Sequence, residues 1–462
     1  MMHSELCTNE PIPLIVRKLD ERGRHDDDDG NGSFLPSNGA INSMSELQRE
    51  VVVTGIGAVT PFGIGVDALW DGVRNGYSGV DWIQLLPNLD PSNYPVRFGA
   101  EVKGFSVDEH LKQHCDIRCE RSVQMGLVAS REALSQAQLL DSADHPRDTS
   151  LRIEVIVGSG HGPCHEAEVG HSTFLQRGPA AVRPSTIPKS MFNSLSSNAS
   201  IHFGLTGTNL VIASACASGA SAIGLATILI RHGYADIVLA GGADSPFTPV
   251  IFGCWTSLRG LAKASEPRKA SRPFDRNRNG MVLGEGAAMA VLESRASADQ
   301  RSVKPLASVR GYGASSDAFH ITTPTVLGQR RAMESCLADA DLKPGDIDYV
   351  NAHGTGTKAN DTTEAQAIVE VFGARGAAMP VSATKSMLGH ALGASGAIEF
   401  VTCVQAVQHA FVPPTVNCDE PDPEVGLDYV ANKGRPHAMK FAVSNSFAFG
   451  GNNVALLLEG AS

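Results

Sequence analysis

From Glu50 onward, short apolar strand-like runs alternate with helical stretches rich in alanine, and this alternation constrains the fold more than any single motif. Strands buried on both faces read as continuous apolar runs, and parallel neighbours can be joined only by crossovers, usually helical. The expectation is therefore an α/β protein with buried parallel strands. With 462 residues, 42% of them apolar and 47 glycines, the chain can bury a large core and make many tight turns. Two halves are visible, 49–303 and 304–462. Residues 1–48 stand apart. They hold the acidic run Asp26-Asp27-Asp28-Asp29, then Gly30-Asn31-Gly32-Ser33, with no sustained periodicity, so they are expected to be a disordered extension. A transit peptide is the sharper reading, but such peptides are poor in acidic residues.

Three element ends carry candidate chemistry. Cys216 lies in Ala213-Ser214-Ala215-Cys216-Ala217-Ser218-Gly219, after the strand-like run Thr208 to Ile212 and before a helical stretch of small residues. Helix-start amides favour a thiolate, and small neighbours let a substrate approach, so Cys216 is a candidate nucleophile. An arbitrary cysteine is more often a small buried hydrophobe. Downstream, Val350-Asn351-Ala352-His353-Gly354-Thr355-Gly356-Thr357 delivers an imidazole at a strand end. Thr384-Lys385-Ser386-Met387-Leu388-Gly389-His390 repeats the pattern of strand, polar turn and helix. A lone histidine is usually structural. A cysteine, a lysine and two histidines, each at an element end bordered by small residues, shift the balance toward a catalytic set.

From about Glu50 to Glu459 the chain resembles the elongating β-ketoacyl-acyl-carrier-protein synthases, condensing enzymes of the thiolase superfamily that act in type II fatty acid and polyketide synthesis. The resemblance rests on those motifs together with Val51-Val52-Val53-Thr54-Gly55-Ile56-Gly57, Arg272-Pro273-Phe274-Asp275, Gly284-Glu285-Gly286 and Asn445-Ser446-Phe447-Ala448-Phe449-Gly450-Gly451. It implies a thiolase fold, two stacked similar halves in a five-layer α-β-α-β-α arrangement with the site between them. The duplication comes from the resemblance, because the halves share too little sequence to count as a repeat. The implied reaction is a decarboxylative Claisen condensation. Cys216 carries the acyl group, His353 and His390 stabilise the enolate left when malonyl thioester loses carbon dioxide, and backbone N–H groups of Cys216 and Phe449 bind the acyl carbonyl oxygen. Lys385 matches the family's active-site lysine, and Asp361 a carboxylate that interacts with it. Thr355 and Thr357, with Thr322 beside them, match hydroxyls that bind the phosphopantetheine arm of an acyl carrier protein. No further cofactor is implied beyond a structural Na+ or K+ among Asn351, Glu399, Ser444 and Asn445. Lys112, Arg118 and Arg121, with Arg259 and Lys263, match carrier-docking regions, the bland alternative being a solvated charged face.

Composition and departures from the family pattern narrow the rest. A formal net charge of −11 argues against nucleic acid as the partner. Nine scattered cysteines suit a reducing compartment, and apolar runs such as Ala287 to Leu292 fall far short of the roughly 18 residues a spanning helix needs, so a cytoplasmic enzyme is expected. His161-Gly162-Pro163-Cys164-His165 and His114-Cys115 with Cys119 lack the paired spacing of a zinc site. A papain-like hydrolase has no use for a second histidine and a lysine, a degradative thiolase carries another cysteine near 445–453, and a chain-length factor lacks the nucleophile. At the expected acyl pocket, His161 and Trp255 stand where smaller residues are usual, and Ala448 replaces a glycine. Polar, bulky walls disfavour a long saturated chain. The substrate alternative is a specialised polyketide, polyene or signal-lipid synthase, as a homodimer or paired with a chain-length-factor subunit.

Overall fold

The computed structural model describes residues 49–461 apart from 87–89, 91–93, 112–118, 377 and 424–425. The expected extension 1–48 and the docking candidates Lys112 and Arg118 lie outside the described residues. Ten strands form one path. The first half supplies β1 (Val51–Thr60), β2 (Ile153–Gly158), β3 (Asn209–Ile212), β4 (Ile237–Asp244) and β5 (Gly286–Ser294). The second supplies β6 (Ala307–Ser316), β7 (Tyr349–Asn351), β8 (Val381–Ser382), β9 (Phe441–Ala448) and β10 (Asn452–Gly460).

Their order is β8-β7-β9-β10-β6-β1-β5-β4-β2-β3, so the halves meet where β1 pairs with β6 through Val51–Val53. Read outward from that seam, the first half runs β1-β5-β4-β2-β3 and the second β6-β10-β9-β7-β8. Directions repeat as well: two antiparallel pairings, then two parallel ones, on each side. The backbone therefore carries a duplication that the side chains no longer display. The expectation of parallel strands holds for the outer three strands of each half. β10 differs because only the short turn Phe449–Gly451 separates it from β9, and so tight a connection cannot make a parallel crossover.

Helices α1 (Arg121–Gln136), α2 (Ser218–Arg231), α3 (Val326–Asp339), α4 (Lys358–Phe372) and α5 (Ser395–His409) complete the layers. α1 covers β1, β5 and β4 from one side, α3 covers β6 and β10 with α4 against it, and α2 and α5 pack together between the two sheet halves. α5 is buried from Ser395 to Val407, and its one carboxylate there, Glu399, is buried with it. The two central helices approach closely because of glycine. A Cβ on Gly396 would fall 2.8 Å from that of Ala220, and one on Gly219 would fall 2.8 Å from the carbonyl oxygen of Gly393. Among the described residues no helix is long and apolar enough to cross a membrane.

The repeat extends to the turns that start α2 and α5. Ala215 has φ 51° and opens the 3-10 turn Ala215–Ala217, as Leu392, with φ 50°, opens the turn Leu392–Ala394. Neither residue is glycine, so each holds a left-handed conformation that its surroundings must enforce. These turns deliver the N-termini of both central helices to one place.

Candidate active site

Cys216 sits in the first of those turns, 8% exposed, with its Sγ facing the backbone N–H groups of Phe449 and of Cys216 itself. Phe449 comes from the β9–β10 turn of the second half, so the nucleophile lies across the junction of the halves. The sequence suggested a thiolate-favouring setting, but burial is the larger influence. It pushes the thiol up to about 11, against the pull of Lys385 and the two N–H groups. In the free protein the sulfur is a thiol.

The imidazoles of His353 and His390 lie edge to face with ring centroids 5.4 Å apart, and each ring is 2% exposed. Their tautomers follow from what each Nδ1 touches. The backbone N–H of Leu392 can only donate, and its nitrogen is 3.2 Å from His390 Nδ1; Ser395 Oγ lies 2.9 Å from the same atom. An ammonium also only donates, and Lys385 Nζ is 3.2 Å from His353 Nδ1. Both rings therefore accept at Nδ1 and carry their proton on Nε2. Burial, then Lys385, holds both well below the usual imidazole range, so they stay neutral donors at neutral pH. Lys385 is anchored in turn by Glu399 Oε1 at 2.5 Å and by the His353 carbonyl at 2.7 Å. Ser395 and Glu399 are four residues apart on α5, which places both on the face toward the histidines.

Asp361 does not pair with Lys385 as expected. Its carboxylate accepts the backbone N–H groups of Thr355 at 3.0 Å, Gly356 at 3.2 Å and Phe274 at 2.9 Å. The lysine's carboxylate partner is Glu399, which the sequence reading had placed in a cation site. Glu364, one helical turn after Asp361, accepts the N–H of His353 at 2.7 Å and that of Gly354 at 2.8 Å. Burial pushes Glu364 up to about 7 while those amides pull it back. Glu364 escaped the sequence reading, although its i,i+3 spacing from Asp361 would put the two carboxylates on one face of any helix there. The loop itself needs glycine: Gly354 has φ +36°, and a Cβ there would meet Ala383 Cβ at 2.4 Å.

A cavity of about 270 Å³ opens from these groups to the surface, lined by Cys216, His353, His390, Thr355, Thr357, Thr322, Trp255 and Phe449 among others. The hydroxyls of Thr355 and Thr357 are 2.9 Å apart on its wall. Trp255 closes one side, stacked on Phe449 at 5.9 Å; His161 does not line the cavity but stands behind Trp255, edge-on at 6.2 Å. Arg259 and Lys263 are exposed, and Arg259 lines a second depression with Arg276 and Lys358 that shares Gly260 and Thr357 with the mouth. Arg121 is different. Its guanidinium grips the buried Glu285, with Nε 2.9 Å from Oε2 and Nη2 2.7 Å from Oε1, so its charge is committed to the fold rather than to a docking face.

Around the back of the site, Glu399 Oε2, Ser444 Oγ, Asn445 Oδ1, Ser446 Oγ and Asn351 Nδ2 are buried without partners. Three of the four residues expected to hold a cation thus present free oxygens. Asn351 does not, because its Oδ1 already faces the hydroxyls of Tyr349 and Thr384, each at 3.4 Å.

Comparison with known proteins gives a consistent picture. Residues 48–298 match the beta-ketoacyl synthase N-terminal domain and residues 306–419 its C-terminal domain. Two relatives are both 3-oxoacyl-[acyl-carrier-protein] synthase 2. That of Synechocystis sp. is 39% identical over 420 residues and that of Staphylococcus aureus (strain COL) 37% over 418, each match covering 90% of this chain and 99% of the relative. Among solved structures, the ishigamide ketosynthase/chain length factor is 34% identical with a TM-score of 0.83, the match covering 90% of this chain and all of that one. A beta-ketoacyl synthase from Burkholderia phymatum STM815 is 32% identical with a TM-score of 0.81, at the same coverage. A chain from a complex of a type II PKS acyl-carrier protein with its ketosynthase is 30% identical with a TM-score of 0.79, the match covering 89% of this chain and all of that one.

Proposed function

This chain belongs to the beta-ketoacyl synthase family, and from that membership and the convergence of Cys216, His353 and His390 on one cavity we propose that it condenses an acyl group with malonyl-acyl carrier protein, as in type II fatty acid synthesis. The acyl thioester first exchanges onto sulfur: the Cys216 S–H bond breaks, a Cys216 thioester forms, and the carrier's pantetheine leaves as a thiol. The acyl carbonyl oxygen faces the Cys216 and Phe449 N–H groups as it gains charge. Malonyl thioester then enters by the same cavity. Its C–C bond to the carboxylate breaks, carbon dioxide leaves, and the electron pair becomes an enolate whose oxygen is met by the Nε2–H groups of His353 and His390. The enolate carbon attacks the Cys216 thioester, releasing the sulfur, which takes up a proton, and β-ketoacyl carrier protein. The single carrying observation is that each imidazole Nδ1 faces a group that can only donate, the Leu392 N–H or the Lys385 ammonium, which makes the rings paired Nε2–H donors rather than bases.

The family's carrier partner sets the remaining assignments. Thr355 and Thr357, with Thr322 at the mouth, hold the phosphopantetheine arm, and Arg259 and Lys263 meet the acidic carrier. A monovalent cation fits the free oxygens of Glu399, Ser444 and Asn445, where it would stiffen the back of the site. A homodimer is supported by edge strand β3, whose Leu210 is 44% exposed, and by Ile201, 73% exposed on the neighbouring helix Ser194–Phe203. The enzyme works in the cytoplasm.

The test separates the half-reactions. Cys216→Ala should abolish acyl-enzyme formation. His353→Ala and His390→Ala should still accept an acyl group while losing malonyl decarboxylation. Carbon dioxide release at the wild-type rate from either histidine variant sinks its role.

A second reading is favoured by one feature, the Trp255–Phe449 stack backed by His161. Flat aromatic walls suit a planar conjugated chain better than a flexible saturated one, as a specialised polyketide or polyene synthase requires. Intact-protein mass spectrometry of Cys216 after exposure to a panel of acyl carriers decides between the two.

A further inference from the structure

Asp244, the last residue of β4, is 1% exposed and sits where the two halves meet, yet no step above uses it. Its Oδ1 accepts the Ser159 hydroxyl at 2.6 Å, and its Oδ2 accepts two backbone N–H groups, from Gly160 at 2.8 Å and Gly393 at 2.7 Å. Gly160 belongs to the first half and Gly393 to the second. One carboxylate oxygen thus ties together the turns on either side of the site. Burial alone disfavours an ionised carboxyl there, and the three donors and His161 counter it.

The repeat in the fold says what this cradle is. Gly393 follows Leu392 in the second half as Cys216 follows Ala215 in the first, both after a left-handed residue and both two residues before a central helix. Gly160 lies two residues past the end of β2, as His353 lies two past the end of β7. Asp244 ends β4, as Ala448 ends β9 just before Phe449. In the working pocket the N–H groups of Cys216 and Phe449 face the sulfur. In the mirrored position the N–H of Gly393 faces a carboxylate. No side chain fits at Gly393, where a Cβ would fall 2.3 Å from the Gly160 nitrogen and 2.6 Å from Asp244 Oδ2.

We propose that Asp244 is a positioning residue for the condensation: its carboxylate fills the anion cradle that the duplication leaves in the second half, and by holding the Gly393 N–H it fixes the Leu392 turn that sets the tautomer of His390. The link is short. Gly393 is bonded to Leu392, the Leu392 N–H donates to His390 Nδ1 at 3.2 Å, and that contact keeps the His390 proton on Nε2. Leu392 stays left-handed only while its neighbours hold it. Without the carboxylate, the Gly160 and Gly393 amides lose a shared buried acceptor and the turn is free to relax.

The inference rests on the enolate-stabilising role of His390, so the experiment carries a His390→Ala control. Full-length Asp244→Ala is compared with wild type for carbon dioxide release from malonyl carrier protein, for Cys216 acylation by a short acyl-pantetheine thioester, and for thermal unfolding, with and without added formate. Decarboxylation should fall about 100-fold, the scale of a misplaced catalytic group, with acylation within a few-fold. Formate, which offers the cradle a carboxylate, should restore part of the lost rate. Asp244→Asn keeps one carbonyl acceptor for the two amides and should lose about tenfold in decarboxylation by the same reasoning. If Asp244→Ala does not accumulate as folded protein, Asp244→Asn carries the test by the same split between half-reactions. Equal losses in both half-reactions, wild-type decarboxylation, or a formate-insensitive Asp244→Ala overturns the proposal. If His390→Ala itself decarboxylates at the wild-type rate, the fault lies with the His390 role and not with Asp244.

Discussion

Replacing Lys385 with methionine removes an ammonium that serves three acceptors and leaves its stem volume in place. Glu399 Oε1 loses its partner while Oε2 has none from the protein, so without a bound monovalent cation an ionised Glu399 would be a buried charge with nothing opposite it. The carboxyl escapes by taking a proton. Burial already pushes Glu399 up to about 7 from an ordinary 4.5, even with Lys385 pulling the other way. Keeping it neutral in the folded state at pH 7 against an ionised unfolded chain costs about 2.5 pKa steps, or roughly 3 kcal/mol at 1.36 kcal/mol each. The wild type, with Glu399 about half ionised at pH 7, already bears nearly all of that cost, so the titration of Glu399 adds less than about 1 kcal/mol to the stability loss of Lys385→Met at pH 7. The sign is fixed by linkage: a carboxyl raised on folding destabilises as pH rises above its unfolded value, and removing Lys385 raises it further, so the added loss should vanish toward pH 5 and grow by about 1.4 kcal/mol per unit above pH 7. Adding Glu399→Gln should recover most of it. Activity should not follow, because the amide cannot set the His353 tautomer, and decarboxylation should stay down by about 100-fold or more. Denaturant unfolding at pH 7 and 8.5 and carbon dioxide release on both variants give the comparison. A double variant that regains decarboxylation along with stability would refute the claim that Lys385 acts through His353.

Other outcomes follow from the same geometry. Alkylation of Cys216 by a small neutral reagent should accelerate with pH well past 8.5, as a thiol pushed up to about 11 requires, and a plateau near pH 8 would contradict the burial argument. Arg259→Glu should raise KM for carrier-bound substrate and flatten its salt dependence while sparing a short pantetheine thioester. Arg121→Glu should instead destabilise by about 3–5 kcal/mol, since Glu285 would be buried beside a like charge, and equal kinetic signatures for the two variants would remove the distinction. Trp255→Ala should widen the range of acyl chains found on Cys216 by mass spectrometry, and an unchanged range would show that the indole does not wall the acyl site.

The sequence made the residues that react easier to see than those that hold them. Cys216, His353 and His390 stand at element ends among glycines and alanines, a local pattern that needs no tertiary knowledge. Their supports come from elsewhere in the chain. Glu399 reaches Lys385 from 14 residues away on another helix, and the Asp361 carboxylate turns to the 355–356 amides because α4 begins directly beneath that loop. Arg121 reads as one more surface cation in a basic segment, and only the fold brings Glu285 to it from 164 residues away. The duplication was hidden for a related reason. It survives in strand order and in two left-handed turns, which backbone hydrogen bonding specifies, while the side chains have diverged because one half houses the nucleophile and the other the donors.

That division explains how the three reacting groups stay neutral until they are used. Cys216, His353 and His390 share a pocket in which burial is the largest influence on each, raising the thiol and lowering both imidazoles toward their neutral forms. Lys385 contributes the nearby positive charge, helping the sulfur ionise and opposing protonation of the rings. A protonated imidazole would grip the malonyl carboxylate and disfavour its loss, whereas a neutral N–H gains most when the enolate oxygen takes up charge. Acidification to pH 6 should therefore leave decarboxylation by the acyl-enzyme nearly unchanged, because both rings titrate well below their usual range. A rate that halves near pH 6.5 would mean that one imidazole titrates as it does in water, and the tautomer argument built on its Nδ1 contact would fail with it.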